Sequence, residues 1–138
     1  MGKYEIGKKS KRECLVTKDL LASSVGSGSV DVLATPIVAA IMEGAASDLA
    51  QTFLEDDYTT VGTKIIVEHL NATAEGVNVW AEAELTNVDG RKYTFLLRAF
   101  DNNGLIATGE HIRVSVKKDS FLKKAIERKD RKSTRLNS

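Results

Sequence analysis

The sequence predicts a single α+β domain in which one long, mostly apolar helix is covered by an antiparallel sheet. Three observations carry this. From Leu33 to Ala46 the chain reads LATPIVAAIMEGAA, with Glu43 its sole charge, and a helix apolar on all sides is a buried helix. Beyond about residue 60 the hydrophobic period changes from that of a helix to the alternation of strands. Asp89-Gly90 and Asn103-Gly104 stand between alternating segments, the strongest short-range signal for hairpins.

The elements follow in order. Residues 12–17, RECLVT, read as a first strand. Residues 18–30 are polar and small and end in the Gly/Ser run SSVGSGSV, the composition of a mobile loop. Thr35 suits a helix N-cap and Pro36 the first helical position. The helix should continue to about Leu54, through Leu49 and Phe53. Its small residues Ala39, Ala40, Gly44, Ala45 and Ala46 admit close backbone approach. In the next segment Thr63, Ile65, Val67 and His69 share one parity and should face inward, with Lys64 and Glu68 outward. Val77, Val79, Ala81, Ala83 and Leu85 mark the inner face of a third strand. Tyr93, Phe95, Leu97 and Ala99 mark a fourth, and Ile112, Val114 and Val116 a fifth. A short helix from about Asp119 to Lys129 finishes the chain. The order is strand, buried helix, then four strands in an antiparallel meander, with no internal repeat. The sheet must wrap the helix, which is the hot-dog arrangement. One copy leaves part of the helix and a sheet edge exposed, so the chain should pair with a second copy.

Composition fits one domain. The 138 residues, 42% hydrophobic and 28% charged, supply one core. That domain should span 1–130, with 131–138 a polar, aperiodic, disordered tail. No apolar run approaches the roughly 20 residues needed to cross a bilayer, and MGKYEIGKKSKRE lacks the apolar stretch of a secretory signal. Cys14 is alone and cannot form an internal disulfide, which points to a cytoplasmic protein. Two histidines, His69 and His111, give little material for a metal site, and none is expected. From Lys117 onward there are nine Lys/Arg and three Asp/Glu, a balance of +6, leaving −5 for residues 1–116. A solvated amphipathic helix accounts for that basic end. The core lacks the basic, aromatic-studded strand face of a nucleic-acid binder, and the glycines of SSVGSGS do not follow a strand as a dinucleotide site requires.

Three polar groups stand out from the apolar pattern. Thr35 opens the helix; Glu43 lies eight residues on, two turns deeper and about 80° round; His69 projects inward from a strand that should run beside the helix. A hydroxyl, a carboxylate and an imidazole facing one core have the parts for acyl-transfer chemistry. Backbone N–H groups at the helix N-terminus or at Gly62 are candidates to hold a carbonyl oxygen. Each residue also has a structural explanation: Thr35 as an N-cap, His69 as a satisfied core histidine, Glu43 as an acid bonded to backbone. His111 and Arg113 have the parity opposite to Ile112 and Val114, so a regular strand turns them outward.

Taken together, V-L-A-T-P-x-x-x-A-x-M-E-x-A-A (32–46), V-G-T-x-I-x-V-x-H (61–69), A-T-A-E-G (72–76), V-D-G-R (88–91) and G-x-H-x-R (109–113) resemble the fluoroacetyl-CoA thioesterase-like branch of the hot-dog superfamily, over about residues 12–125. The resemblance implies a homodimer, or a dimer of dimers, that hydrolyses acyl-CoA at a site on the dimer interface. It implies Thr35, Glu43 and His69 as the catalytic set, with Gly62 and Arg113 on the substrate. No cofactor is implied, because CoA is part of the substrate. One departure bears on specificity. The fluoroacetate-specific enzyme carries bulky aromatics in the lid before the helix, where this chain has Gly26-Ser27-Gly28-Ser29-Val30. A lid without bulk cannot form the same selective pocket, so a short or medium acyl-CoA, or a housekeeping role on unwanted thioesters, is the better expectation. A non-catalytic acyl-CoA-binding module is the main alternative. A hot-dog dehydratase or hydratase fits the three polar groups less well, and a purely structural dimer leaves them unexplained.

Overall fold

The computed structural model describes residues 3–130; the tail expected at 131–138 lies outside the described residues. Strand β1 (Lys9–Leu15) leads through a 3₁₀ turn and a short helix α1 (Ala22–Val25) to the central helix α2 (Thr35–Gln51). Four strands follow, β2 (Tyr58–His69), β3 (Asn78–Asp89), β4 (Lys92–Asp101) and β5 (Gly104–Lys117), and then helix α3 (Lys118–Asp130). All five strands form one antiparallel sheet in the order β1-β3-β4-β5-β2.

This order corrects the expected four-strand meander. Only β3, β4 and β5 run in sequence, joined by tight turns at Gly90 and Gly104, both at positive φ. Strand β2 does not pair with β3. It pairs with β5, and the chain then crosses the end of the sheet to reach β3. The crossing is pinned along its length. Leu70 and Asn71 donate their backbone N–H groups to the Ile106 carbonyl at 2.7 and 3.1 Å. Thr73 Oγ1 donates to buried Asp101 Oδ2 at 2.9 Å, and Gly76 N–H donates to the Val16 carbonyl. Local alternation defines a strand but carries no information about its neighbour.

Helix α2 lies across the concave face. Val38, Met42, Ala45, Ala46 and Leu49 pack on Val79, Ala81, Ala83, Leu85, Phe95 and Leu97, all essentially inaccessible to solvent. Burial of this aliphatic and aromatic surface is the main stabilising term. The first strand begins three residues earlier than expected, and α2 ends at Gln51 rather than Leu54, although Phe53 still seals the core. Helix α2 is not covered on every side. Pro36 and Ala40 are exposed, and Ala39, Glu43 and Ser47 are half-buried on the same face. Helix α3 follows the expected segment, with no residue buried.

Candidate active site

Thr35 is not the N-cap that local sequence suggests. Ala34 holds that position, in extended conformation and without a side-chain cap bond, and Thr35 is the first helical residue. Its hydroxyl is engaged elsewhere: Thr35 Oγ1 and His69 Nδ1 are 2.8 Å apart and share one hydrogen bond. His69 ends β2 on the inward parity read from sequence. Its Nε2 is buried with no hydrogen-bond partner among the described residues, an uncommon state for a ring nitrogen that can donate or accept.

This pair lines a cavity of about 520 Å³, within the size range of small-ligand sites. One wall is the start of α2 (Thr35, Pro36, Ala39) and another the crossing segment (Leu70, Asn71, Ala72). The loop before the helix closes the third side through Ala22, Ser27 and Val32. That loop is stapled at its base, where Leu21 and Leu33 form an isolated bridge and Ala22 N–H donates to the Val32 carbonyl. Among the described residues no Phe, Tyr or Trp lines the cavity.

Glu43 occupies a second cluster. Eight residues separate it from Thr35, about 12 Å along the helix axis. Its side chain is 41% exposed, not sealed as the apolar context suggests, because this face of α2 meets the free edge of the sheet. Glu43 Oε2 is 3.8 Å from both His111 Nε2 and Arg113 Nη1, close enough for attraction but too long for a hydrogen bond. Gly62 sits against the same oxygen: a Cβ there would lie 2.8 Å from Glu43 Oε2 and 2.9 Å from His111 Cε1. Any side chain at residue 62 would displace the carboxylate.

His111 and Arg113 are the residues that sequence parity misplaced. They face inward and are almost fully buried, while Ile112 and Val114 turn to the outer face. The parity assignment assumed an apolar inner face along all of β5. Here that face is polar, with His111, Arg113 and Ser115 buried together. A β-bulge between Gly62 and Lys64 shifts the partner strand as well. It brings Thr60 inward and leaves Thr63, expected inside, exposed.

Hydrogen bonds satisfy the buried groups. Arg113 Nε donates to Thr60 Oγ1 at 2.7 Å, Nη2 to the Thr60 carbonyl at 2.9 Å, and Nη1 to His111 Nε2 at 3.0 Å. His111 Nδ1 is 2.7 Å from the Lys64 carbonyl. A carbonyl only accepts, so Nδ1 carries the proton and Nε2 is the acceptor for Arg113. Burial pushes His111 below its ordinary value of 6.5, and the Arg113 charge adds to this against the opposing pull of the Lys64 carbonyl and Glu43. The ring is therefore neutral near pH 7. Burial also lowers Arg113, with Glu43 opposing.

Of the five residues singled out in the sequence, the structure joins Thr35 to His69 and Glu43 to Gly62 and Arg113, in two clusters along one helix. His111 had been assigned to the surface; the signal that identifies it is its G-x-H-x-R spacing, which puts it on the same side of the strand as Arg113. Among the described residues no group of three or more His, Cys, Asp or Glu side chains could hold a metal ion.

Known proteins share this architecture. The family model for the fluoroacetyl-CoA-specific thioesterase FlK matches residues 16–119. The fluoroacetyl-CoA thioesterase of Streptantibioticus cattleyicolor is 33% identical over 91 residues, a stretch covering 66% of each chain. A crystal structure of a single-residue mutant of FlK superposes with a TM-score of 0.86 at 25% identity, over 93% of this chain and 99% of that one. A hot-dog-like protein from Thermanaerovibrio acidaminovorans shares the fold at a TM-score of 0.81 and 22% identity, over 91% and 93% of the two chains.

Proposed function

The chain belongs to the fluoroacetyl-CoA-specific thioesterase family, and on that premise we propose that it hydrolyses a short or medium acyl-CoA thioester to the free acid and CoA. The observation that carries the reading is the Thr35–His69 hydrogen bond on the wall of a ligand-sized cavity, with a half-exposed carboxylate two turns along the same helix. Water attacks the thioester carbonyl and Glu43 accepts its proton, or Glu43 attacks directly and water cleaves the resulting anhydride. The C–S bond breaks and the departing sulfur takes a proton from Nε2 of protonated His69, an atom with no partner among the described residues; the ring regains a proton from the water consumed. The Thr35 hydroxyl and the Gly62 backbone polarise the carbonyl. Arg113 binds substrate from the Glu43 cluster. The reaction as written needs no cofactor, since CoA arrives with the substrate.

A second copy brings the two clusters together. The two sheet edges differ. β1 carries Lys9, Lys11, Arg12 and Glu13, charges that protect an edge, whereas β2 presents Ile65, Ile66 and Val67 with its outer backbone unpaired. Two-fold pairing of β2 with its copy places the His69 end of one chain beside the Tyr58 end of the other and runs the two α2 helices antiparallel across their uncovered faces. Each Thr35–His69 pair then approaches the partner's Glu43. A homodimer is thus the functional unit, and a dimer of dimers extends it. No helix among the described residues is long and apolar enough to cross a membrane, and with its lone Cys14 the chain reads as cytoplasmic.

A small, glycine-rich lid and a cavity without Phe, Tyr or Trp favour a plain acyl chain over fluoroacetyl. Thiol release from acyl-CoAs of increasing length, by wild type, Glu43→Ala and His69→Ala, tests the reading. Turnover confined to some chain lengths and lowered at least a hundredfold in both variants supports it. A folded dimer inert on every thioester sinks it and leaves a binding module.

A further inference from the structure

We propose that His111 is a positioning residue: by accepting a hydrogen bond from Arg113 it keeps the guanidinium from closing onto Glu43. The proposal rests on the reading of Glu43 as the reactive carboxylate.

The geometry is a competition for one N–H group. Arg113 is anchored at Nε and Nη2 by the hydroxyl and carbonyl of Thr60, which fixes the plane of its fork. Its remaining arm, Nη1, has two acceptors within reach. His111 Nε2 is at 3.0 Å and takes the hydrogen bond; Glu43 Oε2 is at 3.8 Å and does not. The imidazole holds that place because its other nitrogen is clamped. Nδ1–H donates to the Lys64 carbonyl at the bulge in β2, which sets the tautomer, and packing beside Phe95 limits the ring, the centroids lying 6.4 Å apart. His111 is 1% exposed, so water does not substitute for it.

The consequence falls on Glu43. Among the described residues, the charged or titratable groups against its carboxylate are Arg113 and His111. At 3.8 Å the cation attracts the carboxylate without bonding to it, which leaves its lone pairs free for a proton or a carbonyl carbon. A direct, hydrogen-bonded pair with Arg113 would stabilise the carboxylate further and make it a weaker base and nucleophile. His111 never touches the reacting atoms; it acts through Arg113.

Two substitutions separate the two ring nitrogens. In His111→Asn the side-chain amide donates to the Lys64 carbonyl but does not reach Arg113. In His111→Gln an oxygen near the position of Nε2 still accepts from Arg113. Folding is verified by melting temperature, and the Glu43 carboxyl is titrated by NMR with ¹³C-labelled glutamate, a readout independent of turnover. The proposal expects the Glu43 titration to move to lower pH in His111→Asn and to return toward wild type in His111→Gln. With acyl-CoA, kcat should fall about tenfold in His111→Asn with KM little changed, and the acid limb of the pH profile should follow the carboxyl titration. Arg113→Lys combined with His111→Asn should be no worse than Arg113→Lys alone, since one acts through the other. A folded His111→Asn with an unmoved Glu43 titration overturns the proposal. So does equal impairment in the Gln and Asn variants, which marks a purely structural residue. If wild type turns over no thioester while the titration shifts as described, the positioning stands and the catalytic reading fails.

Discussion

The inner face of the sheet has two halves built on opposite rules. On β3 and β4 the inward residues are mostly apolar, among them Val79, Ala81, Ala83, Leu85, Phe95 and Leu97, a floor sealed by α2, with Asp101 buried at the far end of β4 and hydrogen-bonded to Thr73. On β2 and β5 they include Thr60, His111, Arg113 and Ser115, equally buried and polar. The strands alternate in the same way and face the same helix. The floor is stabilised by area removed from water and tolerates any close-packed apolar solution. The polar corner survives because the nitrogens of Arg113 and His111 each have a hydrogen-bond partner, so its geometry is specified more narrowly than its stability requires. Rigid packing lies on one side of α2 and directed polar groups on the other.

The contrast can be broken from either side. Phe95→Ala removes the largest fully buried side chain of the floor and should cost about 3–5 kcal/mol, read as a large fall in denaturation midpoint, with any protein that stays folded keeping the pH profile of wild type. Gly62→Ala strikes the corner. Its Cβ would meet the Glu43 carboxylate and the His111 ring, so turnover should fall by about a hundredfold while the melting temperature drops by far less than in Phe95→Ala. If Gly62→Ala unfolds the chain instead, the corner is as structural as the floor. The smallest effect sharpens the comparison by pH. His111 binds its proton less readily in the folded chain than at its ordinary 6.5. Below pH 6.5 the unfolded chain therefore takes up more protons, and stability falls as the pH drops toward the folded value. Denaturant midpoints measured from pH 7.5 to 5 should show this slope, and His111→Asn should flatten it.

Much of the fold was legible because the floor obeys hydrophobic periodicity. The inward sets of β3 and β4, the turns at Asp89-Gly90 and Asn103-Gly104, and the long helix opening at Thr35-Pro36 all follow from local pattern. The corner was not legible by the same means. Reading parity from Ile112 and Val114 assigned the polar residues of β5 to solvent, because hydropathy records the cost of burying a group and not whether a partner awaits it. Thr35 looked like a cap since its partner, His69, lies 34 residues away. The exposure of Glu43 followed from which strand forms the sheet edge, and that depends on β2 pairing with β5, a long-range choice. The family resemblance implied Thr35, Glu43, Gly62, His69 and Arg113 as a set; it carried no distances and gave His111 no role.

The pairing of β2 with β5 also sets an order of events. Residues 58–69 find their partners only in 107–117, so during synthesis β2 waits, unpaired, while the crossing segment and the whole β3–β4 hairpin are made. Contacts of such separation close late and slowly. The floor, drawn from β1, α2, β3 and β4, has all of these elements available before the last strand emerges from the ribosome. The corner holding Gly62, His111 and Arg113 does not exist until β5 zips along β2. A chain that stalls or loses its last thirty or so residues would keep much of its floor and present a bare, apolar β2 to its surroundings, a species prone to aggregate. Completion of the site and removal of that hazard are the same event.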